Sequence, residues 1–281
     1  QVDEIFSRFT KTTEFDALSS VDMVIEAVFE EMTIKKQVFK ILDKVIKKGG
    51  ILASNTSYLN INEIASTTSR PEDVIGLHFF SPANIMRLLE IVVPDKVSND
   101  VISTGFSLAK KLKKIPVRAG VCDGFIGNRI LDKYGDCAFH MMEDGATPYE
   151  IDKAIYDFGY PMGPFQMFDL AGGDIGWAKR KRQSKLRDPQ IRYVNIPDRL
   201  CEKGWFGQKT GRGFYRYDKG NRRGHEDSEV IDIIENERQK KGIVPLKFSQ
   251  EEIVRRYMAA MITACLSVRA LDPTDVPIAL A

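Results

Sequence analysis

Short apolar runs alternate with stretches of helical periodicity along the first part of the chain. Such runs, bounded by turn residues, indicate buried strands, whereas apolar residues at every third or fourth position indicate amphipathic helices. The runs predict strands at residues 21–28, 49–54, 74–80, 88–93 and 115–119. The helical spacing predicts helices at residues 31–48, 60–66 and 100–113. Strands that alternate with helices in this way predict a parallel sheet with helices on its faces.

The pattern changes near Gly120, beyond which the strong signals are helical. Further helices are predicted at residues 124–143, 148–158, 228–240 and 250–268. Residues 267–281 look like a tail. We therefore predict an α/β domain at residues 1–119 and a mostly α-helical domain at residues 120–281.

The α/β part lacks one expected feature. A nucleotide-binding sheet of the Rossmann type normally opens with a strand, a G-x-G-x-x-G turn and a helix. The chain contains no such glycine pattern. Its first ten residues already resemble the middle of a domain's sequence and not its beginning. Two explanations stay open at this point. Either the fold is of another kind, or a doubly wound parallel sheet has lost its first βαβ unit.

Composition and charge exclude some classes of protein. The chain has 281 residues, of which 43% are hydrophobic and 28% are charged, and its formal net charge is +2. This balance predicts a globular protein without a nucleic acid partner. No apolar run approaches the ~18 residues that a membrane-spanning helix needs, so no membrane span is expected.

Basic runs and cysteines add two smaller expectations. The basic runs at residues 110–114 and 179–182 are interpreted as solvated faces, and attraction of a phosphate-bearing ligand is the alternative. The four cysteines contain no C-x-x-C pair, and only three histidines are present. These counts argue against a metal site and a disulfide scaffold, and they favour a reducing compartment.

Four polar residues stand out near the ends of predicted strands and helices. Ser57 follows the second predicted strand, and His78 lies near the end of the third. Glu90 lies inside the fourth strand, and Asn128 falls in the first turns of the helix after Gly120. The carboxyl ends of parallel strands line a common crevice, so Ser57 and His78 are expected to face the same opening. Imidazole takes up a proton near neutral pH, so His78 is a candidate base that Glu90 would orient.

A purely structural explanation exists for each of these residues. A histidine beside aromatic residues is commonly a core residue, and a glutamate near a strand end usually reaches solvent. Ser57 is also explained as the cap of the helix that begins near Asn60. Asn128 is also explained as a local hydrogen-bonding group at a helix start. Only the four residues together indicate a site.

Four motifs resemble those of the L-3-hydroxyacyl-CoA dehydrogenase family. They are SNTS at residues 54–57, GLHFFSP at 76–82, MRLLEIV at 86–92 and GFIGNR at 124–129. The spacing of Ser57, His78, Glu90 and Asn128 fits the order of that family. The resemblance covers roughly residues 16–217 and is closest to the dehydrogenase parts of peroxisomal multifunctional β-oxidation enzymes.

The resemblance implies an NAD-dependent oxidation of (3S)-3-hydroxyacyl-CoA to 3-oxoacyl-CoA in fatty acid β-oxidation. It implies a Rossmann-type domain followed by a helical domain. By the same resemblance, His78 is the general base and Glu90 orients its ring, while Ser57 and Asn128 hold the reacting oxygens of the substrate. Contacts with NAD are implied for Glu30, Lys35, Ser57, Ser81 and Lys209.

The resemblance also carries expectations about partners and compartment. An acyl-CoA substrate is implied, and the helical domain is expected either to form a homodimer or to pack within a longer chain. The peroxisome is the implied compartment, with the cytoplasm and the mitochondrion as alternatives. The missing glycine turn implies an N-terminally truncated member of the family. A catalytically silent acyl-CoA-binding or oligomer-partner homologue, or another β-hydroxyacid dehydrogenase, is the alternative.

Overall fold

A computed structural model of the protein describes residues 4, 6–219 and 224–271. The predicted tail at residues 267–281 lies mostly outside the described residues, as do the outermost ends of the two predicted domains. The chain divides into two compact units, one that contains the residues up to Arg129 and a second formed by Ile130–Ser267. The predicted domain boundary at residues 119–120 stays a prediction, and the first compact unit continues past it.

A five-stranded sheet forms the centre of the first unit, with its strands side by side in chain order. The strands are β1 (Met23–Glu26), β2 (Ile51–Ser54), β3 (Val74–Phe79), β4 (Leu88–Val93) and β5 (Ile115–Gly120). The helices are α1 (Met32–Val45), α2 (Ile61–Ala65) and α3 (Asn99–Lys111), and single 3-10 turns lie at Phe15–Leu18 and Pro71–Asp73. The five strands and three helices predicted for this part of the chain are confirmed.

The predicted parallel sheet is confirmed as a mostly parallel one, in which a single pair of strands runs antiparallel. β1, β2 and β3 are parallel, and β5 is parallel to β4, but β3 and β4 are antiparallel. A parallel return needs a crossover of about a dozen residues or more. Residues 80–87, which join β3 to β4, are too few, so β4 runs back beside β3. This turn brings His78 directly opposite Glu90 in the register of the two strands.

Side chains alternate along the strands and divide the buried residues between the two faces of the sheet. On one face, Leu52 and Val92 pack in a cluster with Phe39 of α1. On the other face, Ile91 packs in a cluster with Ala109 of α3. Burial on both faces explains why the strands read as nearly continuous apolar runs.

Helices dominate the second unit, as predicted. They are α4 (Gly127–Asp144), α5 (Pro148–Phe158), α6 (Pro164–Ala171), α7 (Gly173–Gln183), α8 (Ile196–Glu202), α9 (Ser228–Lys240) and α10 (Gln250–Leu271). Single 3-10 turns lie at Ser184–Leu186 and Gln208–Thr210. The predicted helices at 148–158 and 228–240 are confirmed with the same bounds, and the one predicted at 250–268 continues to Leu271.

The start of α4 differs from the prediction and has a physical reason. The pattern predicts a helix from residue 124, whereas α4 begins at Gly127. The backbone φ angles of Gly124 and Phe125 are 78° and 49°, and a right-handed helix requires negative φ. Glycine adopts this conformation freely, whereas at Phe125 it costs roughly 1–2 kcal/mol. The surrounding contacts must therefore stabilise this turn.

Two buried carboxylates connect elements inside the second unit. Asp152 accepts hydrogen bonds from the first two N–H groups of α6, at 2.8 Å each, and from the Tyr215 hydroxyl at 2.9 Å. Asp169 accepts from the N–H groups of residues 214–215 and from the Tyr217 hydroxyl, all at 2.9 Å. Burial raises the pKa of Asp152 to about 7 and that of Asp169 to about 6, and the donors oppose this shift. These carboxylates stabilise the fold and are not among the predicted site residues.

The structure bears on three expectations, which concern a membrane span, a metal site and the basic run at 179–182. None of the helices in the described part of the chain is both long and apolar enough to cross a membrane. Among the described residues, no group of three His, Cys, Asp or Glu side chains is arranged to hold a metal ion. In the basic run at 179–182, Lys179 pairs with Asp132 and Arg180 pairs with Asp198. These two side chains are only 13% and 20% exposed, so the interpretation as a solvated face holds for the second half of the run, where Lys181 and Arg182 are exposed, and not for the first half.

Candidate active site

His78 and Glu90 form a buried pair in the first unit. Nδ1 of His78 lies 2.6 Å from Oε2 of Glu90, and the two residues are 3% and 1% exposed. Side-chain alternation directs both away from the face of the sheet that α3 covers. An ionised carboxylate only accepts hydrogen bonds, so Nδ1 donates, and Nε2 carries the lone pair that can take up a proton.

The second oxygen of Glu90 contacts the beginning of α4. Oε1 accepts the N–H of Ile126 at 3.0 Å and the N–H of Gly127 at 2.8 Å. N–H groups at a helix start have no partner within the helix and carry partial positive charge. Together with His78, these donors compensate the cost of burying the carboxylate. Glu90 is therefore held at both oxygens, which fixes its orientation toward the imidazole.

Two phenylalanine rings contact the imidazole of His78. The ring centroids of Phe80 and Phe125 lie 4.4 Å and 5.6 Å from that of His78. Phe125 is fully buried, and its left-handed backbone brings the next two N–H groups to Glu90. A Cβ atom on Gly127 would lie 2.8 Å from Cζ of Phe80, so the close packing here requires glycine.

We expect Gly127→Ala to lower turnover about tenfold and to reduce the free energy of unfolding by about 1–2 kcal/mol. The added methyl group must displace the ring of Phe80, and this ring contacts His78. Steady-state kinetics and urea unfolding measure the two effects. Gly176→Ala is the matched control, because a Cβ there would meet only the far end of the Arg180 side chain, at 3.0 Å. Unchanged turnover in Gly127→Ala would show that Phe80 does not position the imidazole.

Ser57 and Asn128 lie together in the first unit. Nδ2 of Asn128 donates to the backbone oxygen of Ser57 at 3.3 Å, and Asn128 is buried. Because Asn128 directly follows Gly127, which binds Glu90, the structure brings all four predicted residues to one region. The explanation of Ser57 as a helix cap is wrong, since the cap of α2 is Asn60. The chemical roles of the four residues stay predictions.

Glu30, predicted to contact the cofactor, holds the loop that follows β2. Its Oε1 accepts the Thr56 hydroxyl at 2.6 Å, the Ser57 N–H at 2.8 Å and the Tyr58 N–H at 3.1 Å. These contacts fix the position of Ser57 from the end of the neighbouring strand. A contact between Glu30 and a cofactor stays a prediction.

Lys35 is buried, at 1% exposure, and its charge is balanced within the chain. Its Nζ donates to Oε1 of Glu26 at 2.7 Å and lies 3.4 Å from both the Val28 oxygen and Oε2 of Glu30. Glu26 was missed by the sequence analysis, although it also accepts the Ser54 hydroxyl at 2.7 Å and the Val28 N–H at 2.7 Å. The ammonium group of Lys35 therefore helps to fix the position of the Glu30 carboxylate. A contact between Lys35 and the cofactor stays a prediction.

Ser81 and Lys209 are the two remaining residues predicted to bind the cofactor. Ser81 is exposed in the connection from β3 to β4, and its peptide bond to Pro82 is cis. Lys209 is exposed in the second unit and forms an ion pair with Asp174. Their roles toward a cofactor stay predictions.

Three further residues shape the site without having been predicted. Oδ1 of Asn55 accepts the N–H of Phe79 at 2.8 Å and so joins the loop after β2 to the end of β3. Thr56 is fully buried and binds Glu30. A signal existed for both, because polar residues that directly follow a strand are candidates for a site. The role of Phe125 had no signal beyond the preceding glycine, because it depends on a backbone conformation that phenylalanine rarely adopts.

Comparison with known families covers most of the chain. Residues 1–122 match the family described as 3-hydroxyacyl-CoA dehydrogenase, NAD binding domain. Residues 124–217 match the family described as 3-hydroxyacyl-CoA dehydrogenase, C-terminal domain. The two matches follow each other in the order that the motifs predict.

Individual relatives agree with these matches. The peroxisomal bifunctional enzyme of Homo sapiens is 45% identical over 270 residues, which are 92% of this chain and 37% of that protein. The chain therefore spans little more than a third of the length of that relative. The structure of (S)-3-hydroxybutyryl-CoA dehydrogenase PaaH1 from Ralstonia eutropha is similar with a TM-score of 0.70 at 33% identity, covering 77% of each chain. The dehydrogenase part of multifunctional enzyme 1 from C. elegans has a TM-score of 0.68 at 30% identity, covering 96% of this chain and 61% of that chain.

Proposed function

Because this chain belongs to the 3-hydroxyacyl-CoA dehydrogenase family, we propose that it oxidises (3S)-3-hydroxyacyl-CoA to 3-oxoacyl-CoA with NAD, as a step of fatty acid β-oxidation. The observation that carries this proposal is the buried contact of 2.6 Å between His78 and Glu90. Oxidation of an alcohol needs a base for the hydroxyl proton and an acceptor for the hydride on the same carbon. The pair provides the base.

His78 acts on the 3-hydroxyl group of the substrate. With Nδ1 donating to Glu90, Nε2 accepts the hydroxyl proton as the carbonyl forms. The imidazolium that results is stabilised by the adjacent negative charge of Glu90. Since both oxygens of Glu90 are already bound, the ring is held in one orientation before the substrate arrives.

Ser57 and Asn128 hold the reacting oxygens of the substrate. Glu30 fixes the backbone of Ser57, and Asn128 binds the backbone oxygen of the same residue. Donors placed in this way stabilise negative charge that develops on a substrate oxygen during the reaction. The two residues therefore position the substrate for proton removal by His78.

Bound NAD would supply the acceptor for the hydride on C3 of the substrate. The residues proposed to hold the cofactor are Glu30, Lys35, Ser57, Ser81 and Lys209. A cofactor contact at this place is supported by Glu30, which lies four residues beyond the carboxyl end of β1, and by the neighbouring Val28 and Phe29, which are 40% and 81% exposed. The glycine turn that would bind the pyrophosphate is not found in the 281 residues.

A second candidate function is supported by Lys35 and Glu30, two residues expected to contact the cofactor, because both already have partners within the chain. In this alternative the chain is a catalytically silent homologue that binds acyl-CoA or assembles with a partner. For either function we propose that the helical unit takes part in assembly, as a homodimer or by packing within a longer chain. We also propose a peroxisomal location, because curated relatives carry that description.

We expect this chain to consume NADH when acetoacetyl-CoA is added, which is measured by the loss of NADH absorbance. In the opposite direction, (3S)-3-hydroxybutyryl-CoA should reduce NAD, whereas the (3R) isomer, as the control, should not. Calorimetric binding of acetoacetyl-CoA separates the two candidate functions. Folded protein that binds acetoacetyl-CoA without turnover would support the silent acyl-CoA-binding homologue. Folded protein that neither binds nor reacts would contradict both the dehydrogenase and the acyl-CoA-binding homologue, and would leave assembly with a partner.

A further inference from the structure

We propose that Lys114 is a positioning residue that holds residues 81–87 of the β3–β4 connection, here called the loop, beside the candidate active site. The proposal rests on the function given above, and it assigns to Lys114 a part in binding the acyl-CoA substrate. Lys114 belongs to the basic run at 110–114, which the sequence analysis interpreted as a solvated face. Its side chain is instead directed at the backbone of the loop that follows His78.

The contact consists of two hydrogen bonds from one ammonium group. Nζ of Lys114 donates to the backbone oxygen of Ala83 and, at 2.6 Å, to the backbone oxygen of Met86. Hydrogen bonds from a charged donor are roughly twice as strong as neutral ones. The two oxygens belong to different peptide groups of one short loop, so a single side chain closes that loop on the start of β5.

The backbone conformation before Lys114 directs its side chain toward the loop. The end of α3 is closed by hydrogen bonds from the Lys113 N–H to the Lys110 oxygen and from the Lys114 N–H to the Ala109 oxygen. This is a Schellman arrangement, in which the residue with positive φ is usually glycine. Here it is Lys113, with φ of 56°. A non-glycine residue in this conformation is strained, and the strain lies directly before the residue that holds the loop.

The loop has few other constraints, and its main one is at its end, where the oxygen of its last residue accepts an N–H from the start of β5 at 2.8 Å. Within it, the N–H groups of Ile85 and Met86 both donate to the Pro82 oxygen at 2.9 Å. The side chains of Ile85 and Met86 are 68% and 41% exposed, so apolar burial does little to hold the loop. A segment with exposed side chains and few buried contacts opens easily. Lys114 provides the charged anchor that opposes this opening.

The expected effect falls on substrate binding and less on the chemical step. His78 and Glu90 are held by groups outside the loop, namely the ring of Phe80, Asn55 at the end of β3 and the start of α4. The loop carries Ser81 and presents two exposed apolar side chains next to the end of β3, a surface that suits an acyl chain. Opening of the loop therefore weakens binding while the base remains in place.

Lys114→Met tests the proposal, with Lys111→Met as the matched control from the same basic run. Lys111 is exposed at the end of α3, so its replacement should change nothing. In Lys114→Met we expect amide exchange at Ile85 and Met86 to be about tenfold faster, as the loss of charge-assisted hydrogen bonds implies. We expect the KM for acetoacetyl-CoA to rise about tenfold and kcat to change less than about threefold. Lys114→Arg should restore part of both, because it keeps the charge.

The two readouts keep this proposal separate from the proposed function. If the unchanged chain has no activity, the proposed function fails, and amide exchange still decides whether Lys114 holds the loop. Unchanged exchange in Lys114→Met would overturn the proposal. Faster exchange with an unchanged KM would overturn the role in substrate binding. Faster exchange throughout the chain, with a lower unfolding temperature, would assign Lys114 to general stability and overturn the proposal as well.

Discussion

His78→Gln is expected to abolish turnover of acetoacetyl-CoA while the protein remains folded. Positioned bases contribute about 10²–10⁴-fold to a rate, and a glutamine amide cannot accept a proton near neutral pH. Glutamine keeps a donor that can reach Oε2 of Glu90, so the buried carboxylate is not left without a partner. The loss should therefore appear in kcat, measured from NADH consumption, and not in the urea unfolding midpoint.

The control for this variant is His225→Gln. The side chain of His225 is 57% exposed and contacts Asp218, so its replacement should leave turnover unchanged. Turnover of His78→Gln within about threefold of the unchanged chain would contradict a role as base. If His78→Gln loses its folded structure together with its activity, the result would show that His78 is a core residue.

Glu90→Gln is expected to lower turnover about 10²-fold or more, by the reasoning that applies to carboxylates that orient a catalytic histidine. The geometry gives the reason in atomic terms. If the amide oxygen stays with the N–H groups of Ile126 and Gly127, the amide nitrogen faces Nδ1 of His78. Nδ1 must then accept a hydrogen bond, so the proton moves to Nε2 and blocks the base. In the reverse orientation the amide oxygen still accepts from Nδ1, but the amide nitrogen faces the two backbone N–H groups, which lose their acceptor.

The measurement for Glu90→Gln is kcat together with the KM for acetoacetyl-CoA, and the KM should change little. Glu72→Gln is the matched control, because Glu72 is exposed in the same unit. Glu90→Asp should retain part of the activity, since it keeps the charge but is too short to span both partners. A near-normal rate for Glu90→Gln would contradict the orienting role, and a large increase in KM would indicate that Glu90 contributes to binding.

The alternation of apolar runs and helical patterns predicted the elements of the first unit and the longer helices of the second, whereas α6, α7 and α8 were not predicted. The five strands of the first unit and the helices at 148–158 and 228–240 follow from local periodicity, because burial of one face or of both faces leaves its period in the sequence. Polar residues at the ends of those runs were likewise visible. For this reason His78, Glu90, Ser57 and Asn128 could be singled out before any contact was known.

The contacts among these residues depend on partners that are far apart in the chain. Periodicity does not report strand direction, and the short connection at 80–87 reverses β4 and sets Glu90 opposite His78. Nor does it report that Gly124 and Phe125 delay the start of α4 and release two N–H groups to the second oxygen of Glu90. Those bonds require a particular backbone conformation at a site that only the packed sheet brings close.

For charged side chains too, the sequence predicts the residue type, and the tertiary structure decides its partner. A lysine within an amphipathic pattern predicts a solvated position, yet Lys35 is buried against Glu26, and Lys114 is directed at the backbone of a loop. By itself, the sequence determined most of the elements, the order of the motifs and the residue types available for proton transfer. The tertiary structure alone decided which donors meet which acceptors, because a hydrogen bond depends on distance and angle between groups whose separation in the chain carries no such information.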